Sequence, residues 1–308
     1  MSLLEVKDLK VYFPIKAGIM GRTVDHVRAV DGVTFSIKEG QTVGLIGESG
    51  SGKSTTGKAI LGLVPLAGGS IYFDGKDITP YIGKNRSDYR RNVQMIFQDA
   101  YSSLNPKKRV LDILAEPIRN FEKLTKAEEL KRLEELIDIV GMPKDVLVKY
   151  PHEFSGGQRQ RLSIARALAL KPKLIVADEP VSALDISIQA QVLNYLKDIQ
   201  EELKIAYLFI SHDLGVVKHM CESLAIMHNA RFVEFGNRED VYKDPKHIYT
   251  KRLIAAIPDT NPALRAQNSA NRAAITKEYE KEFHKYYQEG GKVYDLKQIS
   301  DTHHVAMP

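Results

Sequence analysis

The sequence has one cysteine, Cys221, no long apolar run and no basic block interleaved with aromatics. A single thiol excludes an internal disulfide and a cysteine-ligated cluster, and it fits a reducing compartment. Nothing approaches the roughly 20 apolar residues that span a bilayer. The first residues, Met1-Ser2-Leu3-Leu4-Glu5-Val6-Lys7-Asp8, carry charge where a signal peptide needs an apolar stretch. Membrane association is therefore expected through partners. The 44 basic residues face 39 acidic ones, a net charge of +5 on a mixed surface, which argues against direct nucleic-acid binding. At 308 residues, 43% hydrophobic, the chain is long enough for two domains or one large one, and it contains no internal repeat.

What is present centres on Gly47-Glu48-Ser49-Gly50-Ser51-Gly52-Lys53-Ser54-Thr55. The segment follows the apolar run Thr42 to Ile46 and opens into an expected helix over Thr56 to Leu63. It has the full G-x-x-x-x-G-K-S spacing of a P-loop, in which backbone N–H groups and a helix N-terminus converge on phosphate. The glycines let the backbone approach an anion closely. Lys53 is expected to reach the terminal phosphates of a nucleoside triphosphate and the Ser54 hydroxyl to bind Mg²⁺.

Periodicity supplies the frame. Leu4 and Val6, then Val33, Phe35 and Ile37, alternate with polar residues, and Ile71 and Phe73 lead to a turn at Asp74-Gly75; these read as half-buried antiparallel strands. Pro14 to Asp25 reads as a loop or hairpin insertion. From 100 to 171 the pattern is helical, with a capping box at Thr125 and Glu128, a stripe of Leu130, Leu133, Leu136, Ile137 and Val140, and a stop at Gly141. Leu174 to Ala177 and Ala206 to Ile210 are continuous apolar runs on either side of a helical segment over Ile188 to Leu203. That rhythm predicts a parallel sheet buried on both faces. Leu224 to Met227 and Phe232 to Phe235 form a hairpin. Ile275, Tyr279, Phe283 and Tyr287 recur every four residues, an amphipathic helix with an aromatic stripe.

Two further stretches carry chemistry. Leu174 to Asp178 is an apolar strand ending in a carboxylate, suited to hold Mg²⁺ beside a P-loop, and Glu179 follows at once, placed to polarise an attacking water. Ser155-Gly156-Gly157-Gln158 before a helix is a second anion site, with a capping hydroxyl and a helix dipole. One nucleotide does not need two such sites in one chain.

Phe154 to Gln158, followed by Arg159 to Leu168, resembles the signature motif of the ABC transporter ATPase family, with Phe154 where leucine is more usual. The resemblance implies a head-to-tail dimer in which Ser155, Gly156, Gly157 and Gln158 close over the partner's ATP. It further implies that Gln98 is the Q-loop glutamine at Mg²⁺ and water, and that Ser182-Ala183-Leu184-Asp185 is the D-loop at the dimer seam. His212 would be the switch histidine at the γ-phosphate, and Phe13, beside Tyr12, the aromatic that stacks on adenine. The fold expected is an α/β P-loop ATPase core with a mixed, mostly parallel sheet, an antiparallel β subdomain, a helical insert and a C-terminal extension. The ATPase domain would cover 1–258, with core and β subdomain in 1–99 and 171–240 and the helical subdomain in 100–170; the extension would cover 259–308.

Gln98 to Pro106, Tyr150 to Gly157 and His247-Ile248-Tyr249-Thr250-Lys251 are similar to the dipeptide, oligopeptide and nickel importer branch, over about the first 260 residues. Within it the chain resembles the second of two unlike ATPases of an oligopeptide permease. The implied role is ATP hydrolysis energising oligopeptide import; the same role in a dipeptide, nickel or opine importer and a soluble ABC ATPase acting on nucleic acid are the alternatives. The implied partners are a homologous second ATPase subunit, two transmembrane permease subunits and an extracellular peptide-binding protein, at the cytoplasmic face of a bacterial, Gram-positive membrane. The implied cofactors are ATP and Mg²⁺. Many relatives carry a cysteine-rich C-terminal segment that this chain lacks, so no iron–sulfur cluster is expected, and the adjacent His303-His304 reads as solvated tail.

Overall fold

A computed structural model describes residues 2–18, 21–81, 87–99, 103–257 and 265–308. The motif residues Ala100, Tyr101 and Ser102 and the expected 258/259 boundary lie outside them. Twelve strands are described: β1 Ser2–Ala17, β2 Arg22–Lys38, β3 Thr42–Ile46, β4 Gly68–Phe73, β5 Lys76–Asp77, β6 Val93–Ile96, β7 Leu174–Asp178, β8 Ala206–Ser211, β9 Ser223–His228, β10 Arg231–Asn237, β11 Leu296–Ser300 and β12 His303–Ala306. The described helices are α1 Lys53–Ile60, α2 Ser87–Asn92, α3 Val110–Phe121, α4 Lys126–Ile139, α5 Gly156–Leu168, α6 Ile186–Leu203, α7 Leu214–Met220, α8 Arg238–Lys243, α9 Ile248–Ala255 and α10 Arg265–Tyr286. None of them is long and apolar enough to cross a membrane. The chain divides into two compact bodies. Met1–Leu3, Ile37–Gln41 and Gly83–Leu208 form the first; Leu4–Ser36, Thr42–Ile82 and Phe209–Pro308 form the second.

In the first body β6 and β7 pair in parallel, Val93 opposite Leu174 and Ile96 opposite Ala177. Every residue of β7 is buried, which is why its sequence runs apolar without alternation. In the helical part, α4 and α5 each begin with a capping side chain, Thr125 and Ser155. Thr125 accepts the Glu128 N–H while the Glu128 carboxylate returns to the Thr125 N–H, the reciprocal box expected from the sequence. Gly141 takes φ 64 behind α4 and sends its N–H to the Asp138 carbonyl, so glycine is needed to close that helix. Leu133, Leu136 and Ile137 are its buried face.

In the second body one sheet runs β2-β1-β4-β5, with β1 and β4 antiparallel and Leu4 opposite Phe73. Within the expected insertion over Pro14 to Asp25, of which residues 19 and 20 lie outside the described residues, β1 continues through Pro14 to Ala17 and its sheet neighbour β2 starts at Arg22. The other sheet sets β3 parallel to β9, Val43 opposite Ser223, and β9 antiparallel to β10 as the expected hairpin. Gly44 in β3 has no room for a side chain. A Cβ there would lie 2.8 Å from Val217 Cγ1 and 2.9 Å from the Cys221 sulfur, so the lone thiol is a packing group.

The tail departs from the sequence reading. His303-His304 is not solvated: β12 pairs with β10, Glu234 opposite Val305, and β11 pairs with β12. His303 is buried and its Nε2 lies 2.7 Å from Glu234 Oε1. Glu234 is itself fully buried and also accepts the Lys246 and His247 N–H groups, so a deep carboxylate draws the histidine inward. The aromatic stripe of α10 packs onto its own chain, with Phe283 stacked 4.0 Å from Tyr287 and Tyr287 against His228.

Candidate functional site

In the second body the buried strand β3 ends at Ile46 and α1 starts at Lys53, so the glycine-rich loop joins strand to helix as its spacing predicts. Three glycines have different reasons to be there. A Cβ on Gly47 would lie 2.1 Å from the Met227 carbonyl, and one on Gly52, at φ 109, would lie 2.2 Å from the Ala29 carbonyl. Neither site admits any side chain. Gly50 has φ 82 with nothing within 4 Å of a Cβ, so it leaves open space where an anion can approach. The base of the loop is buried at Ser51 and Lys53, while Glu48, Ser49 and Gly50 are exposed and Ser54 and Thr55 are half-buried in the first turn of α1. Lys53 donates to the Gly47 carbonyl at 2.8 Å and the Glu48 carbonyl at 2.9 Å, and Ser51 N–H donates to the Glu48 carbonyl at 3.2 Å. These bonds hold a curved loop with its amides at a helix N-terminus. A phosphate chain fits this cradle.

The same body carries Phe13 in β1 and His212 after the last residue of β8. Phe13 is 38% exposed, so it is not a core aromatic. Its neighbour Tyr12 donates to Asp31 at 2.5 Å. His212 is exposed, and Asp213 caps α7 by accepting the Gly215 N–H at 2.7 Å.

In the first body β7 delivers Asp178, 6% exposed, and then Glu179. Glu179 has φ 48, a left-handed conformation that costs a non-glycine residue roughly 1–2 kcal/mol. Ser182 holds it there, its N–H and hydroxyl both donating to the Glu179 carbonyl, at 3.3 and 3.1 Å. The half-buried Glu179 side chain accepts the Gln98 amide at 2.7 Å. Two residues that sequence reasoning placed at one reaction are thus in contact.

The signature stretch is a well-formed helix start. Ser155 accepts the Gln158 N–H and the Gln158 amide oxygen accepts the Ser155 N–H, a complete capping box. Helix geometry leaves the Gly156 and Gly157 amides without intrahelical acceptors. Phe154 is buried, so it anchors the motif as an apolar residue where leucine is more usual. A Cβ on Gly156 would touch Leu184 at 3.6 Å and one on Gly157 would lie 2.5 Å from Ile188 Cγ2. The signature and Ser182 to Asp185 therefore share one edge of this body. Asp185 is exposed and Ile186, next to it, is 85% exposed.

Sequence reasoning did not connect Tyr249 and Arg252 to the loop. Tyr249 accepts the Glu48 N–H at 3.0 Å, and Arg252 pairs with the Glu48 carboxylate. The motif containing Tyr249 was visible, but its partner stands 201 residues earlier.

Residues 30–182 match the ABC transporter family, and residues 233–292 match the oligopeptide/dipeptide transporter C-terminal region. The oligopeptide transport ATP-binding protein OppF of Lactococcus lactis is 55% identical over 307 residues, covering 100% of this chain and 96% of the relative. The oligopeptide transport ATP-binding protein AppF of Bacillus subtilis is 48% identical over 260 residues, 84% of this chain and 79% of the relative. Among solved structures, the dimeric ATP-binding cassette MJ0796, in a post-hydrolysis state bound to ADP and Pi, superposes with a TM-score of 0.66 at 26% identity, covering 76% of this chain and 98% of that one. With such identity along its whole length and a phosphate loop of this form, the chain belongs to the ABC transporter family and is one of its ATPases.

Proposed function

We propose that this chain is the ATP-hydrolysing subunit of an importer for oligopeptides. The observation that carries the reading is the full-length identity to an oligopeptide transport ATP-binding protein, together with the match of residues 233–292 to a peptide-transporter C-terminal region. ATP would be held by Gly47 to Thr55, with Phe13 against the adenine. Ser54, Asp178 and Gln98 would hold Mg²⁺, which neutralises phosphate charge when bound. The donor set is suitable: a hydroxyl, an amide oxygen and a buried carboxylate are hard oxygen ligands. Glu179 would take the proton of the attacking water, oriented by the Gln98 amide, while Lys53 and His212 stabilise charge on the terminal phosphate.

Ser155, Gly156, Gly157, Gln158 and Asp185 would serve ATP held by a second, homologous ATPase. The shared edge of the two motifs and the bare Ile186 beside Asp185 support that reading. The assembly would include two transmembrane permease subunits and an extracellular peptide-binding protein, with this chain at the cytoplasmic face of the membrane. Residues 1–258 would act as the ATPase domain, 100–170 as its helical part, and 259–308 as the extension.

The test is phosphate release by the purified chain, alone and with its partner ATPase, permeases and peptide-loaded binding protein in vesicles. Activity should rise on assembly and with peptide, and Glu179→Gln should abolish it. Full turnover by an isolated monomer, or turnover indifferent to Ser155→Arg, would overturn the shared-site reading.

A further inference from the structure

The motif His247 to Lys251 has no part in the chemistry above, yet it lies directly behind the phosphate loop. His247 caps α9, its Nδ1 accepting the Tyr249 N–H at 3.2 Å, and this sets Tyr249 on the first turn, fully buried. The Tyr249 hydroxyl accepts the Glu48 N–H at 3.0 Å, and one turn later the Arg252 guanidinium pairs with the Glu48 carboxylate. The Glu48 carbonyl is taken by Ser51 and Lys53. Glu48 is thus held from two sides: the loop grips its carbonyl, and α9 grips its N–H and its side chain.

The grip is backed by the extension. Arg252 sits 4.2 Å over the Tyr279 ring of α10. At the far end of the aromatic stripe the Tyr287 hydroxyl meets His228 Nδ1 at 2.8 Å, and the His228 ring lies 4.2 Å from the Tyr249 ring. The circuit from Glu48 through α9, α10 and the end of β9 closes on itself. Met227, the residue before His228, supplies the carbonyl that excludes a side chain at Gly47.

We propose that Tyr249 and Arg252 are positioning residues for ATP, holding the entry of the phosphate loop in its anion-accepting shape, and that the aromatic stripe of the C-terminal extension is the brace behind them. The inference rests on the phosphate-loop reading. Its physical basis is preorganisation: a loop already curved spends less of its binding free energy on ordering when phosphate arrives. The acceptor and the charge partner both act on Glu48, two residues ahead of the open face at Gly50, so their removal loosens the amides that follow without touching the nucleotide.

The experiment titrates the full chain with AMP-PNP and Mg²⁺ by calorimetry, with thermal melting alongside. Tyr249→Phe and Arg252→Gln should each raise Kd about 3- to 10-fold, the range of one lost hydrogen bond or ion pair, with little change in melting temperature. The exchanged pair Glu48→Arg with Arg252→Glu should bind more tightly than either single variant, which a purely structural role would not produce. If Arg252→Gln fails to fold, Arg252→Lys keeps the charge, loses the planar fork and should still raise Kd. Unchanged Kd in Tyr249→Phe and in the foldable Arg252 variant, or an exchanged pair no better than its singles, would overturn the proposal. Lys53→Ala separates the two readings: if it retains full affinity, the phosphate-loop reading itself fails.

Discussion

Gln98 donates its side-chain amide to the Glu179 carboxylate at 2.7 Å, across 81 residues of sequence. The contact turns a free rotor into an aimed carboxylate. Glu179 already has its backbone fixed in a left-handed turn by Ser182, so both ends of the residue are constrained. That arrangement suits a group whose oxygen must meet one water in one orientation.

Replacing Glu179 by Gln keeps the shape and, in the proposed role, removes the proton acceptor. Phosphate release should fall about 10²- to 10⁴-fold with nucleotide affinity retained. Gln98→Ala removes only the orienting bond, so its loss should be nearer 10-fold, one hydrogen bond's worth of barrier. Measured side by side in the assembled complex, equal losses would show that Gln98 carries chemistry of its own.

The glycines of the phosphate loop separate packing from binding. Gly52→Ala forces a Cβ to within 2.2 Å of the Ala29 carbonyl at φ 109, and should destabilise the chain by about 3 kcal/mol or more. Gly50→Ala meets open space and carries only the strain of a positive φ, about 1–2 kcal/mol, while placing a methyl on the anion-facing side. Its mark should be weakened ATP binding with a modest shift in melting temperature. Denaturant unfolding and nucleotide titration of both variants check the contrast.

The buried pair of Glu234 and His303 predicts what the last strand contributes. His303→Ala leaves a fully buried carboxylate with two backbone N–H donors and no side-chain partner, which should cost about 2–3 kcal/mol. His303→Gln can still donate from nearly the same place and should recover part of that loss. Equilibrium unfolding of the two variants decides it; equal losses would mean the ring's packing matters and the hydrogen bond does not.

The elements legible in the sequence are those whose cause is local. The phosphate loop is written in nine consecutive residues, the Thr125 to Glu128 box in four, and the stripe of Tyr279, Phe283 and Tyr287 in a helical period. The position of Glu179 was readable because an apolar strand runs straight into it. His303 was misread because its partner lies on a strand 69 residues earlier, and adjacent histidines in a polar tail give no periodic sign of β pairing. The hold of Tyr249 and Arg252 on Glu48 was hidden for the same reason, 201 and 204 residues from its target. Local pattern states which face a residue shows; it does not state which distant strand or helix will meet that face.

His247 makes stability depend on acid in a specific window. Burial pushes its pKa down to about 3, with the nearby His228 adding to the effect. Its Nδ1 accepts the Tyr249 N–H, and the rings of Tyr286 and Tyr287 stand 4.9 and 5.7 Å away, so a proton on that nitrogen would break the cap of α9. An unfolded histidine titrates near 6.5. Above that pH neither state binds the proton and stability is complete. Below it the unfolded chain takes up a proton that the folded chain refuses, so stability falls as pH drops from about 6.5 toward 3, by about 2 kcal/mol at pH 5. His247→Asn can still accept the Tyr249 N–H and does not titrate. The difference in unfolding free energy between pH 7.5 and pH 5 should shrink by up to about 2 kcal/mol in that variant. An unchanged difference would mean that another group, such as His228, governs the acid response.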